Sequence, residues 1–134
     1  MPEAEVLRVV VVRKGKVKAT EFRLRDGERG LSLFRNADPP GAEAIIAAVR
    51  AAGKQGELAV VEIPVQVLHE LGLKLVPTKG GTPDDVVNRL HVEARLFRWR
   101  ELLLWFGRVR IHDWFNEHAT PKLAAAAKLI EETR

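Results

Sequence analysis

A chain of 134 residues, 46% of them hydrophobic, is long enough for one domain with a sizeable core. It has no cysteine, which excludes disulfides and thiolate zinc sites and leaves no thiol for redox chemistry. The longest apolar runs fall far short of a membrane span and no N-terminal signal pattern is present, so the expectation is a soluble, cytoplasmic protein with no membrane partner.

The net charge of +4 favours anionic partners without dictating a fold. The surplus is local. Between Arg8 and Arg29 eight basic residues stand against three acidic ones, and a second cluster holds Arg98, Arg100, Arg108 and Arg110 against Glu101. Three Asn, two Gln and one Met make thermolabile residues scarce, a composition that suits a hot environment and that a GC-rich genome also produces.

In residues 5–13, Val6, Leu7 and Val9 to Val12 make both alternating faces apolar, the pattern of a strand buried on both sides. Arg8 shares a face with Val6, Val10 and Val12, so its charge must be paired or line a cleft. Lys14-Gly15 reads as a tight turn into a second strand at 16–24. The apolar phase of that strand changes between Val17/Ala19 and Phe22/Leu24, and a bulge near Thr20-Glu21 would restore it. Residues 31–34 read as a third short strand.

Asp38-Pro39-Pro40-Gly41 opens a helix at Pro40 or Gly41, with Ile45, Ile46, Val49 and Ala52 as its stripe and Gly53 as its stop. A buried strand at 57–63 follows. Pro64 then opens a short helix with Val67, Leu68 and Leu71 inward, Gly72 ends it, and 73–76 is another strand. Thr82-Pro83-Asp84-Asp85 is a helix start, with Thr82 as the cap.

Residues 90–96 alternate strictly, with Leu90, Val92, Ala94 and Leu96 on one side and His91, Glu93 and Arg95 in a row on the other. This is the preferred reading. Val86, Leu90, Ala94 and Phe97 also fit a helical stripe, so one helix over 83–106 is the alternative. Trp99, Leu102, Leu103 and Phe106 form a clear helical stripe expected to enter the core, closed by Gly107. Asp113 is expected to cap a turn holding Trp114 and Phe115. Thr120-Pro121 starts a last helix that would put Leu123, Ala127 and Ile130 on the body. The fold expected is α+β in a single domain: a mixed or antiparallel sheet of about five or six strands with three or four helices.

Several constellations carry chemistry. Arg8, Ser32, His91 and Glu93 lie on three strands and would converge on one cleft, where His91 and Glu93 supply acid–base chemistry and Arg8 holds phosphate. The plain alternative is a solvated sheet face. Arg95 ends the same row as a ligand-binding candidate. Lys79, Gly80 and Gly81 run into a helix start that would hold phosphate, although the spacing is not a Walker loop. Arg98 and Arg100 interleave with Trp99, and Trp105 follows, the composition of a nucleic-acid surface. His112, Asp113 and His118 are metal-ligand types at a poor spacing, so neither a metal nor a cofactor is implied.

The order Arg8, Ser32, Glu93 on successive strands is similar to the arginine, serine and glutamate with which ADP-ribosyltransferases hold NAD. The resemblance implies Arg8 on the diphosphate or ribose, Ser32 in support and Glu93 on the ribose hydroxyl. It departs from that family in the isolated Ser32 of Leu31-Ser32-Leu33, where a Ser-Thr-Ser run is usual, and in the absence of any tyrosine, so that Phe34 or Phe22 would have to stack.

Three functions follow as expectations. The first is binding of an anionic ligand, either nucleic acid or a phosphate-bearing small molecule. The second is an enzyme acting on a nucleotide through Arg8, His91 and Glu93. The third is a non-catalytic homodimer built on Trp105 and Trp114.

Overall fold

Residues 4–132, described by a computed structural model, build an α+β fold around one six-stranded sheet. Its strands are β1 (Glu5–Val12), β2 (Gly30–Arg35), β3 (Glu57–Pro64), β4 (Leu73–Pro77), β5 (His91–Leu96) and β6 (Lys128–Glu132). The order is β4-β5-β2-β1-β3-β6 and every pairing is antiparallel. The helices are α1 (Gly41–Ala51), α2 (Val65–Glu70), α3 (Asp85–Asn88), α4 (Arg98–Phe106), α5 (Ile111–Trp114) and α6 (Thr120–Ala126), more segments than the three or four expected because several are single turns. Among the described residues no helix is long and apolar enough to cross a membrane.

The doubly apolar β1 sits inside the sheet, and each face has its own core. Val6, Val10 and Val12 join Phe22, Leu31, Leu33, Val92, Ala94, Phe115 and Leu123 on one side. Leu7 and Val9 join Phe34, Ile45, Ile46, Leu58 and Val60 on the other, beneath α1. Each such side chain withdrawn from water contributes roughly 1.5–3 kcal/mol. The alternation of residues 91–96 is that of a strand: Val92 and Ala94 are buried, while His91, Glu93 and Arg95 are half-buried on the α1 side.

Four local expectations are corrected. The first is the second strand at 16–24. Arg13 and Lys16 make a single bridge, and the chain then leaves the sheet for a 3-10 turn at Ala19–Phe22. The apolar phase change is resolved by departure rather than by a bulge: Phe22 and Leu24 plug the core from outside the ladder. The backbone of Leu24 is paired instead by a side chain. Asn116 Oδ1 accepts from Leu24 N at 2.7 Å and Asn116 Nδ2 donates to Leu24 O at 3.0 Å.

The second is the last helix. α5, a π-helical turn at Phe115–Ala119 and α6 run on without a break, and the wide turn falls just before Pro121, which has no N–H to give the helix. Helix then stops at Ala126, and Ile130 belongs to β6, an edge strand on β3. A ladder offered by the buried β3 outweighs the helix preference of the alanine run. Asp113 lies inside the first turn of α5, not at its N-cap; Arg110 stands there and makes no side-chain capping bond.

The third is the cap of α3. Asp84, not Thr82, accepts from Val86 N and Val87 N. Thr82 is used one step earlier, with Asn88 Oδ1 accepting from both its N–H and its hydroxyl.

The fourth is α4, which is docked the reverse of its apolar stripe. Trp99, Leu102, Leu103 and Phe106 stand out from the surface, Phe106 being 73% and Trp105 71% exposed. The inward side is held by polar groups: Arg100 Nη1 donates to Leu71 O at 3.1 Å, and Glu101 pairs with Arg29 at 2.9 Å. The guanidinium of Arg100 lies against Gly72, where any Cβ would collide with it. Leu104 alone among the leucines of this helix packs on the core. Sequence periodicity locates an apolar stripe but not what covers it.

Candidate functional site

β1 and β2 pair only at Val6↔Arg35 and Leu7↔Phe34. Beyond that point the strands part, and backbone groups that a ladder would have satisfied need other partners. Two side chains supply them. Arg8 Nη1 donates to Ser32 O at 2.7 Å and Arg8 Nε donates to Glu21 O at 2.8 Å. Glu21 Oε1 accepts from Val11 N at 2.7 Å. The 3-10 turn therefore sits in the opening between the strands, with Arg8 and Glu21 as its bolts.

The opening continues into a cleft of about 690 Å³, within the range of small-ligand sites. β1 and β2 border it with Val9, Val11, Ser32 and Phe34; the end of α1 and the residues just after it supply Val49, Ala52 and Lys54; Gly81 and Thr82 close one rim. Arg8, Arg13, Arg23, Arg25 and Lys54 border it against Glu21 and Glu28. Both carboxylates are engaged with the backbone, Glu21 at Val11 N and Glu28 at Arg25 N. Among the described residues, neither Lys54, Arg23 nor Arg25 makes a salt bridge with an acidic side chain.

The electrostatics follow from this crowding. Burial pulls the Arg8 guanidinium down to about 10, partly opposed by the Glu21 and Glu28 carboxylates. Lys54 is lowered by burial and then by the neighbouring Arg8 charge. In both, lost hydration is the larger cause, and the Glu21 carboxylate offsets part of it.

His91 faces the same cleft from β5. Ser32 Oγ lies 2.5 Å from His91 Nε2, and Thr78 Oγ1 lies 2.6 Å from His91 Nδ1. Phe34 meets the imidazole edge-on at 5.3 Å. Burial lowers the His91 pKa, with the Glu93 carboxylate pulling the other way.

Arg8, Ser32 and His91 all border the cleft, but from two sides: Arg8 comes from the face of Val6, Val10 and Val12 and meets only the main-chain oxygen of Ser32, whereas the Ser32 and His91 side chains meet on the α1 face. Glu93 does not line the cleft, and its Oε1 accepts from Arg95 Nε at 2.9 Å, so this carboxylate and guanidinium occupy each other. The three-residue order that is similar to the ADP-ribosyltransferases is divided in space: Arg8 and Ser32 touch, and Glu93 lies outside the cleft.

In the glycine loop, Gly81 borders the cleft and Lys79 lines a separate hollow beside His91. Gly80 is buried against Asn88, with room for no side chain, since a Cβ would lie 2.6 Å from Asn88 Oδ1. The first N–H groups of α3 are taken by Asp84. Arg98 lies beside Trp105 in an apolar groove on the outer side of α4, while Arg100 is turned inward onto Leu71 and over the Trp99 ring at 5.3 Å.

Thr78, Glu21 and Lys54 carry parts of this site that residue spacing does not reveal. Thr78 follows a strand end, Lys54 follows a helix stop, and nothing in their neighbours marks them. Arg23 and Arg25 lie in the basic run of the second segment, where charge density was the available signal. Among the described residues no group of three His, Cys, Asp or Glu side chains is placed to hold a metal ion. The chain matches no family model, no curated protein and no solved structure.

Proposed function

We propose that the protein binds a small phosphate-bearing anion in the cleft where β1 and β2 part. One observation carries this reading: five basic side chains border one cavity against two carboxylates, a local excess of positive charge. Phosphate oxygens accept hydrogen bonds from guanidinium and ammonium groups strongly, and in a partly enclosed cleft they do so with little screening. A nucleic acid is a weaker match. The arginine–aromatic pattern is broken up, with Arg100 of α4 turned onto Leu71 and Arg110, ahead of α5, held by Asp26.

The test is calorimetric titration with inorganic phosphate, a nucleoside monophosphate and a single-stranded oligonucleotide, at low and at high salt. The expected result is binding of the small phosphates, weakened roughly tenfold by Lys54→Gln or Arg23→Gln, as the loss of one charge-assisted hydrogen bond requires. No heat and no saturation at low salt removes the reading. Binding of the oligonucleotide alone replaces it with a nucleic-acid interface.

A second reading is self-association through α4, favoured by the five large apolar side chains Trp99, Leu102, Leu103, Trp105 and Phe106 on its outer side. A two-fold contact sets the same patch on both subunits, so an apolar face is matched by its own copy. Sedimentation equilibrium is expected to show a dimer that Phe106→Ser dissociates. A monomer at every concentration ends this reading.

A further inference from the structure

The cleft holds more than cations. Antiparallel register sets Phe34 opposite His91 and makes Ser32 the diagonal neighbour of His91 on the same face. The result is a hydroxyl at 2.5 Å from one ring nitrogen and a second hydroxyl, that of Thr78, at 2.6 Å from the other. With the proton on Nδ1, Thr78 Oγ1 accepts from the ring, and Nε2 accepts from Ser32 Oγ. An alcohol donating to a basic nitrogen, whose ring is oriented by a third group, is the arrangement that activates a nucleophile. Both Ser32 and His91 line the cavity, so a bound molecule has access to them.

We propose that the cleft is catalytic: Ser32 attacks the phosphorus of a phosphate monoester, His91 is its general base, and Thr78 is the positioning residue that orients the imidazole. The proposal rests on the anion-binding reading and adds a reaction to it. In the first step a bond forms between Ser32 Oγ and phosphorus while the bond from phosphorus to the ester oxygen breaks. The Ser32 proton passes to His91 Nε2 and from there to the departing alcohol. In the second step a water gives its proton to His91 and attacks the same phosphorus. Ser32 Oγ leaves and takes that proton, and inorganic phosphate is released. Arg23, Arg25 and Lys54 border the same cavity, cations that suit a phosphoryl group better than an uncharged carboxylic ester.

Diisopropyl fluorophosphate tests the first step directly. Attack by Ser32 forms the same oxygen–phosphorus bond, fluoride leaves, and the proton goes to His91. Intact-mass and peptide analysis of the full chain are expected to show one adduct, on Ser32. Ser32→Ala removes it, and His91→Gln slows it about a hundredfold, as the loss of a general base does. Thr78→Val slows it less, Thr78→Ser restores it, and inorganic phosphate protects against it. Turnover of p-nitrophenyl phosphate is expected from the unaltered chain and not from Ser32→Ala.

No adduct on Ser32, or equal rates in the unaltered chain and in a His91→Gln variant of unchanged circular dichroism, overturns the nucleophile. If His91→Gln fails to fold, the comparison of Thr78→Val with Thr78→Ser decides: equal rates overturn the proposal. If phosphate still binds by calorimetry when labelling fails, the anion site stands and only the chemistry falls. If phosphate neither binds nor protects, both fall.

Discussion

Arg8 Nη1 donates to the main-chain oxygen of Ser32 across a gap where two neighbouring strands have separated. A guanidinium here replaces a rung of the ladder, and its Nε replaces another at Glu21 O. Removing it strands two carbonyls. Arg8→Met is expected to lower unfolding free energy by about 3 kcal/mol, the usual scale for lost bonds to a charged donor. Arg8→Lys recovers only part of that, since an ammonium lacks the planar fork that spans both oxygens. Urea denaturation checks both values.

His91 makes stability depend on pH. Burial holds its folded-state pKa below the ordinary 6.5. Between the folded and unfolded values the unfolded chain binds more protons, so stability rises with pH. The contribution is fully present above about 6.5 and is lost as pH falls from there through the lowered folded value. Denaturation followed at a series of pH values is expected to show this slope in the unaltered protein and a flatter profile in His91→Gln.

Asn116 clamps Leu24 through both ends of its amide, at 2.7 and 3.0 Å. It joins α5 and α6 to a segment that has left the sheet. Asn116→Ala leaves a partly buried backbone N–H and C=O without partners, and a loss of about 2 kcal/mol is expected by thermal or chemical unfolding. Asn116→Asp keeps the acceptor for Leu24 N but sets a carboxylate against Leu24 O, and is expected to be at least as harmful.

The outward side of α4 gives the opposite expectation. Leu102→Ser and Phe106→Ser remove apolar atoms that are already in water, so monomer stability should change by less than about 0.5 kcal/mol. Phe115, 1% exposed in the core on which Leu104 packs, is the control. Phe115→Ala is expected to cost about 3–5 kcal/mol. Comparison of the unfolding midpoints at low protein concentration checks the contrast.

The fold was legible where one period ran through a whole element. The doubly apolar β1, the alternation from His91 to Leu96 and the Ile45, Ile46 and Val49 stripe of α1 each stand as their residues suggest, while Ala52 falls past the helix end and is exposed. The failures share a cause. Residues 16–24, the α4 stripe and Ile130 each depend on what lies opposite in space, and periodicity describes an element without its partner. Three residues that line the candidate cleft, Arg8, Ser32 and His91, stood out in the sequence because polar groups on apolar or central strands need a reason to be there. Their surroundings were not: Thr78, Glu21 and Lys54 arrive from turns and helix ends, where sequence patterns carry little orientation. Glu93 looked equivalent to its neighbours, and only the geometry shows it spent on Arg95.

The pairing of Val61 with Leu129 has a consequence for how the chain comes into being. One side of β3, the most apolar strand after β1, waits for β6, which is synthesised long after it. Until then an unfinished polypeptide on the ribosome presents a bare row of amide and carbonyl groups, a template for any other extended chain nearby. Lys128, Glu131 and Glu132 then place charge along the finished rim, which discourages strands of other molecules from adding on.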